Sequence, residues 1–183
     1  MTYIKTLNIF LENKNFFLFL FLFVCITPIH AQHLNKIEFD ESIGQDVFLG
    51  QCSHDGIRGG VWEHIFDSIY QLYEPDTKVM QQLKQTVISE VSIIIVLGSW
   101  CGDSKEHVPA FMRILEGLSY PMSQLRIIAV NRAFQAGEIP ITHFSVERVP
   151  TFIFYKNRKE IGRIIEHPQV TLEKDILEIM NVL

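Results

Sequence analysis

Seven consecutive residues, Val91-Ser92-Ile93-Ile94-Ile95-Val96-Leu97, constrain this chain more than any other feature. The run is almost wholly β-branched, and it reads as a strand buried on both faces, the mark of a parallel or mixed sheet inside an α/β protein. It feeds directly into Gly98-Ser99-Trp100-Cys101-Gly102-Asp103-Ser104. A helical pattern then runs to about Leu118, with Val108, Met112 and Leu115 on its core side. A cysteine between a buried strand and a helix stands at the helix N-terminus, where unpaired N–H groups and the macrodipole favour its anion. The thiolate is the reactive form, so the position makes Cys101 a candidate nucleophile. The bland alternative is a small core cysteine. It fits poorly here, because Gly98 and Gly102 surround Trp100-Cys101 with flexible backbone instead of packing.

The rest of the chain extends the same pattern. Residues 32–59 are polar and Gly-rich, with a single weak strand at Asp46-Val47-Phe48-Leu49-Gly50 that runs into Gln51-Cys52-Ser53-His54 and a glycine turn. From Val61 a helical stripe places Trp62, Ile65, Phe66, Ile69 and Tyr73 together, with His64 on the solvated side. Pro75 ends that helix and Asp76 caps a second, carrying Val79, Met80, Leu83 and Val87. A second buried strand is expected over Leu125–Val130, and then a polar connection through Pro140 to Val149-Pro150. Thr151–Tyr155 and Glu160–Ile165 form a hairpin about Lys156-Asn157-Arg158-Lys159. Thr171 caps a final helix with Leu172, Ile176, Ile179 and Met180 inward. No repeat, low-complexity tract or interdomain linker interrupts residues 32–183.

Residues 1–31 have a different character. They hold six of the 14 Phe, and Phe16–Ile26 is an 11-residue apolar run behind Lys5 and Lys14. About 20 apolar residues are needed to span a bilayer. The run suits instead the core of a secretory signal cleaved near Ala31-Gln32, with an uncleaved anchor as the alternative. The domain reading is therefore a signal peptide at 1–31, an N-terminal extension with a first strand and helical layer at 32–90, and a core at 91–183. The last two form one domain. Residues 32–183 carry 14 basic and 20 acidic side chains, a charge of −6, with no compensating basic cluster. That balance argues against nucleic-acid binding. Two cysteines remain, Cys52 and Cys101, too few for a disulfide scaffold in the oxidising periplasm or cell envelope where an exported protein works.

Trp100-Cys101-Gly102-Asp103-Ser104-Lys105 resembles the Trp-Cys-Gly-Pro-Cys-Lys active-site segment of the thioredoxin superfamily. Pro109 stands eight residues after Cys101, as that family's helix-kinking proline does. Phe144–Thr151 is similar to the stretch leading into its cis-proline, and the terminal hairpin and helix follow in order. The resemblance covers about Ile93–Leu183. It implies a thioredoxin-like fold, a central mixed β-sheet flanked by helices, here with an N-terminal helical extension. It also implies a cis Val149-Pro150 bond whose backbone presents itself to substrate beside Cys101 and Gly102, with Trp100 shielding the site.

Three departures shape the chemistry. Ser104 replaces the second cysteine, so no disulfide can close within the motif. Asp103 replaces the proline and puts a carboxylate near Cys101, opposing the thiolate; Lys105, and His107 further on, can offset it. Val91–Leu97 lacks the buried carboxylate that the family carries in this strand. A one-thiol mechanism follows, in which Cys101 forms a mixed disulfide with a protein or peptide substrate and an external reductant thiol releases it. The product of this reading is an exported thiol–disulfide oxidoreductase or isomerase with a CxxS motif. The alternative is a redox-inactive thioredoxin-fold peptide-binding or chaperone-like module. Cys52 is the candidate resolving thiol: a first strand parallel to the one before Cys101 would end at the active-site edge, about 10 Å away with one strand between. No cofactor is required. Neither Cys52-Ser53-His54-Asp55 nor Cys101 with His107 has zinc-type pair spacing, so no metal is expected, and the Thr/Ser and Arg set of a peroxidase is not found. The membrane is met only through the signal segment. The protein recovered after export is expected to begin at Gln32, which N-terminal sequencing checks; a start at Met1 would instead identify a retained anchor.

Overall fold

The computed structural model describes residues 34–182, so the signal segment lies outside the described residues. The chain enters as a hairpin of β1 (Ile37–Asp40) and β2 (Gln45–Phe48), antiparallel with Ile37 opposite Phe48. It continues through β3 (Gly50–Cys52), α1 (His54–Arg58), α2 (Glu63–Leu72) and α3 (Thr77–Leu83) to β4 (Ser92–Leu97). Then follow α4 (Gly102–Gly117), β5 (Leu125–Ala129), β6 (Thr151–Lys156), β7 (Lys159–Ile165) and α5 (Leu172–Met180). The main sheet has the order β3-β5-β4-β6-β7. β4 sits at its centre, parallel to β5 and antiparallel to β6. The α/β class and the mixed sheet are those expected.

Burial on both faces of β4 is real and divides the interior in two. Ile93, Ile95 and Leu97 point into a large core shared with all five helices, while Val96 joins Ile128, Val130 and Ile153 on the other face. Among the described residues no long helix covers that second face. The connection expected to be merely polar, residues 131–149, turns Ala136, Ile139, Ile141, Phe144 and Val149 inward over it. Its apolar residues are spaced irregularly among polar ones, so neither period signals their burial.

The N-terminal region departs most from expectation. The single strand at 46–50 is broken at Leu49: β2 pairs with β1 outside the main sheet, and only β3 enters it. Gly50, at φ +87°, makes the bend that L side chains rarely allow. The supposed glycine turn contains α1, capped by Ser53, whose hydroxyl accepts from Gly56 N–H. β3 is also antiparallel to β5, not parallel, with Gly50 opposite Ala129 and Cys52 opposite Ile127. The two principal helices α2 and α3, both expected, fill the connection from β3 to β4, and they bring the chain back to the end of the sheet it had left instead of crossing to the other end. In the stripe of α2, Ile65 is exposed at 42% and Tyr70 buried, because Phe66 and Tyr70, one turn apart, define the packed face. Val87 is exposed at 39% because α3 stops at Leu83.

The helical layer is pinned to α5 by a buried carboxylate. Glu173 accepts the Tyr73 hydroxyl at 2.7 Å and the Asp76 N–H at 3.1 Å, while Asp76 caps α3. Burial pushes the Glu173 carboxyl upward, but hydrogen bonds led by Tyr73 outweigh it and hold the group below its ordinary value. Such a group contributes stability that is present above the unfolded-state carboxylate value, about 4.3, and is lost as pH falls through the lower folded value. Glu173→Gln is therefore expected to cost about 1–3 kcal/mol near neutral pH. It should also flatten the acid limb of stability against pH, measured by urea unfolding between neutral pH and about pH 3; a parallel shift of the whole curve would argue against this role.

Candidate active site

β4 ends at Leu97 beside Ala129, and the next seven residues form the site. Gly98 allows the turn: a side chain there would meet the Trp100 ring at 2.7 Å, so only glycine lets the indole fold back over the strand end. Cys101 N–H donates to Gly98 C=O at 2.9 Å, closing the loop. Cys101 is the N-cap residue of α4, with extended backbone (φ −88°, ψ 132°), and its side chain caps nothing. It is half-buried and free.

Two acceptors reach its sulfur. The Cys101 thiol donates to the Val149 carbonyl at 3.1 Å, and Asp103 Oδ2 lies at 3.9 Å. Val149 and Pro150 are buried, and the peptide between them is cis. The Val149 carbonyl is thus occupied by the thiol proton rather than open to a peptide, and it is released when that proton leaves. Above the sulfur the surface is uncovered: Gly102 is exposed, and a side chain built on it would touch nothing within 4 Å.

Ser104 lies elsewhere than a second redox position would suggest. It is fully buried, and its hydroxyl accepts the Gly98 N–H at 3.2 Å, so it braces the turn from inside α4. Trp100 donates its indole N–H to the Val130 carbonyl at 2.9 Å. Arg132 stacks 4.5 Å over that ring and Phe134 meets it edge-on, contacts that no local sequence pattern signals. Lys105 is bound to the site through its backbone, donating to Cys101 C=O at 3.1 Å; among the described residues its ammonium makes no ion pair. His107 lines an apolar groove of about 380 Å³ with Ile69, Leu72 and Val170, one helical turn and more from the sulfur. Pro109 lies inside α4.

Cys52 is not brought to the site. With β3 reversed, the active-site end of that strand is Gly50, and Cys52 stands level with Ile95, inside the sheet. It is 3% exposed and its thiol is pushed up to about 12 by burial. The expectation that it shares the active-site edge is corrected by the strand direction. Residues that sequence reasoning missed lie on the other side of the loop: Ser99 is buried, its hydroxyl accepts from Phe48 N–H at 2.9 Å, and its carbonyl accepts the Trp62 indole N–H at 2.9 Å. Trp62 reads in sequence as a core anchor, since nothing in a helical stripe tells where an indole nitrogen points.

The two thiols should separate cleanly in labelling. Of these two, brief treatment of the folded protein with iodoacetamide is expected to modify Cys101, with Cys52 reacting only after unfolding; peptide mass spectrometry reads the two sites separately. Equal labelling of Cys52 in the folded state would contradict its burial.

No family profile matches the chain. Over 87 residues it is 36% identical to the thioredoxin-like protein R548 of Acanthamoeba polyphaga mimivirus, a match spanning 47% of this chain and 60% of that protein. Among solved structures it is similar to an HIV 4E10 epitope-scaffold, with TM-score 0.50, 12% identity and coverage of 67% of this chain and 84% of the other. The thioredoxin of Fasciola hepatica also matches, at TM-score 0.36 and 19% identity, over 51% of this chain and 80% of that one. With its central mixed sheet and its cysteine at the start of the helix after the middle strand, the chain has a thioredoxin-like fold, and over those 87 residues its sequence is similar to that thioredoxin-like protein.

Proposed function

We propose that this chain is an exported protein of the periplasm or cell envelope that carries out thiol–disulfide exchange on peptide or protein substrates through Cys101 alone. One observation carries the reading: Cys101 is half-buried at the start of α4, its sulfur 3.1 Å from the Val149 carbonyl and beside the exposed Gly102. The Cys101 thiolate attacks one sulfur of a substrate disulfide. A Cys101–substrate disulfide forms, the substrate S–S bond breaks, and the departing thiolate takes up a proton. An external small-molecule or protein thiol then attacks the mixed disulfide, becomes disulfide-bonded to the substrate and returns Cys101 as thiolate. An external thiol is needed because Ser104 has no sulfur and Cys52 is buried within the sheet.

An extended substrate can pair with the Val149 backbone once the thiol proton has left, as an added strand. The site without turnover would be a redox-inactive peptide-binding or chaperone-like module. Incubation with a disulfide-bonded model peptide separates the two. A covalent adduct, absent in Cys101→Ser and reversed by dithiothreitol, is expected by mass spectrometry; peptide binding with no adduct would replace exchange by the module.

Turnover should respond to the missing thiol. Ser104→Cys is expected to form an internal disulfide between Cys101 and the introduced sulfur, lowering the oxidised mass by two hydrogens. It should also raise insulin reduction with dithiothreitol from near background. Catalytic insulin reduction by the parent protein would overturn the one-thiol mechanism.

A further inference from the structure

We propose that Trp62, in the N-terminal layer, is a positioning residue for Cys101, acting through Ser99. The inference rests on Cys101 being the reacting group, as proposed above. Ser99 is 4% exposed, and both of its hydrogen-bonding oxygens are taken by the layer that precedes β4 in sequence. Its carbonyl accepts the Trp62 indole N–H and its hydroxyl the Phe48 N–H, each at 2.9 Å. These two donors hold the residue two positions before Cys101. The loop's other hydrogen bonds come from within itself or from segments later in the chain: Ser104 to Gly98, Cys101 N–H to Gly98, the Trp100 indole to Val130 and the Cys101 thiol to Val149. Among the hydrogen bonds of the described residues, those of Ser99 alone tie it to the N-terminal layer.

The donors are themselves fixed. Trp62 is 1% exposed, and Phe48 packs edge-on against it with ring centroids 6.3 Å apart. A side chain at Gly60 would strike the Phe48 ring at 2.2 Å, so the glycine makes room for that contact. Trp62 and Trp100 thus hold the loop from opposite sides, one indole N–H on the Ser99 carbonyl and the other on Val130. Loss of the first lets the 98–101 turn drift, and with it the sulfur from the start of α4 and from the Val149 carbonyl. Small displacements of a reacting atom cost large rate factors.

Trp62→Phe keeps an aromatic ring at the position and removes the N–H donor. It is expected to slow both iodoacetamide alkylation of Cys101 and its adduct formation with the model peptide disulfide by roughly five- to ten-fold, the scale of one buried hydrogen bond. Because the chain has two tryptophans, the variant also isolates Trp100, whose emission should shift to the red as the loop loosens. Phe66→Leu, one turn into the helix that Trp62 precedes and as deeply buried, controls for lost packing: it should lower thermal stability while leaving the rate and the Trp100 emission (read in a Trp62→Phe background against Trp62→Phe alone) unchanged. Unaltered alkylation in Trp62→Phe overturns the inference, as does an equal loss in Phe66→Leu. Normal alkylation of the parent with no peptide adduct would instead defeat the proposed exchange reaction and leave the positioning role standing on the alkylation rates.

Discussion

The site depends on β4 being unable to slide. Its hydrogen bonds are taken on both sides, by β5 in parallel and β6 in antiparallel register. Its side chains commit alternately to two cores, Ile93, Ile95 and Leu97 to one and Val96 to the other. A one-residue slip would exchange the faces and expel a row of β-branched and aliphatic side chains from both. The end of the strand at Leu97 is thereby fixed, and so is the start of the turn that carries Cys101. The candidate site is built on that end: α4 begins there, Val130 receives the Trp100 indole there, and Val149 stands opposite, just ahead of β6.

A site placed by strand ends still has to be held against solvent-driven motion, and the loop 98–104 does this with backbone partners. Gly98 is held by Ser104, Ser99 by Phe48 and Trp62, and Trp100 by Val130. Serine at position 104 therefore has two consequences. It removes the sulfur that would resolve a mixed disulfide, and it supplies a buried hydroxyl to a backbone N–H that would otherwise lack an acceptor there, at a cost of about 1–3 kcal/mol. The same residue explains why the turn is stable with one thiol and why the proposed exchange through it would need a second thiol from outside.

Legibility in the sequence followed periodicity and local chemistry. The Val91–Leu97 strand, α4, the Thr151–Ile165 hairpin and the Asp76 and Thr171 caps were readable because each has a short-range signal: β-branching, an apolar stripe, or a capping oxygen at fixed offset. Cys101, Gly102 and Asp103 gather around the sulfur for the same local reason, being neighbours in sequence. The direction of β3 was not readable although both helices after it were: a three-residue strand carries no mark of its partner's direction, and the glycines at 56 and 59, inside and just after α1, mimic a turn. Nor was the burial of residues 131–149, where Ala136, Ile139 and Phe144 follow no period.

The misplacement of Cys52 follows from that one reversal and changes the chemistry available to the chain. With a parallel first strand, Cys52 would have risen to the active-site edge, and an internal dithiol would have been open to it. With β3 antiparallel, the same residue count carries Cys52 down into the sheet beside Ile127, where burial raises its thiol to about 12. A thiol so placed stays protonated at neutral pH and cannot attack a disulfide, since only the thiolate is nucleophilic. What arrives at the active-site end in its stead is Phe48, just before the bend at Gly50, and its backbone N–H goes to Ser99. The reversed entry of the N-terminal segment thus withdraws a sulfur from the site and delivers a hydrogen bond to it, so that the segment serves Cys101 as scaffold and not as redox partner.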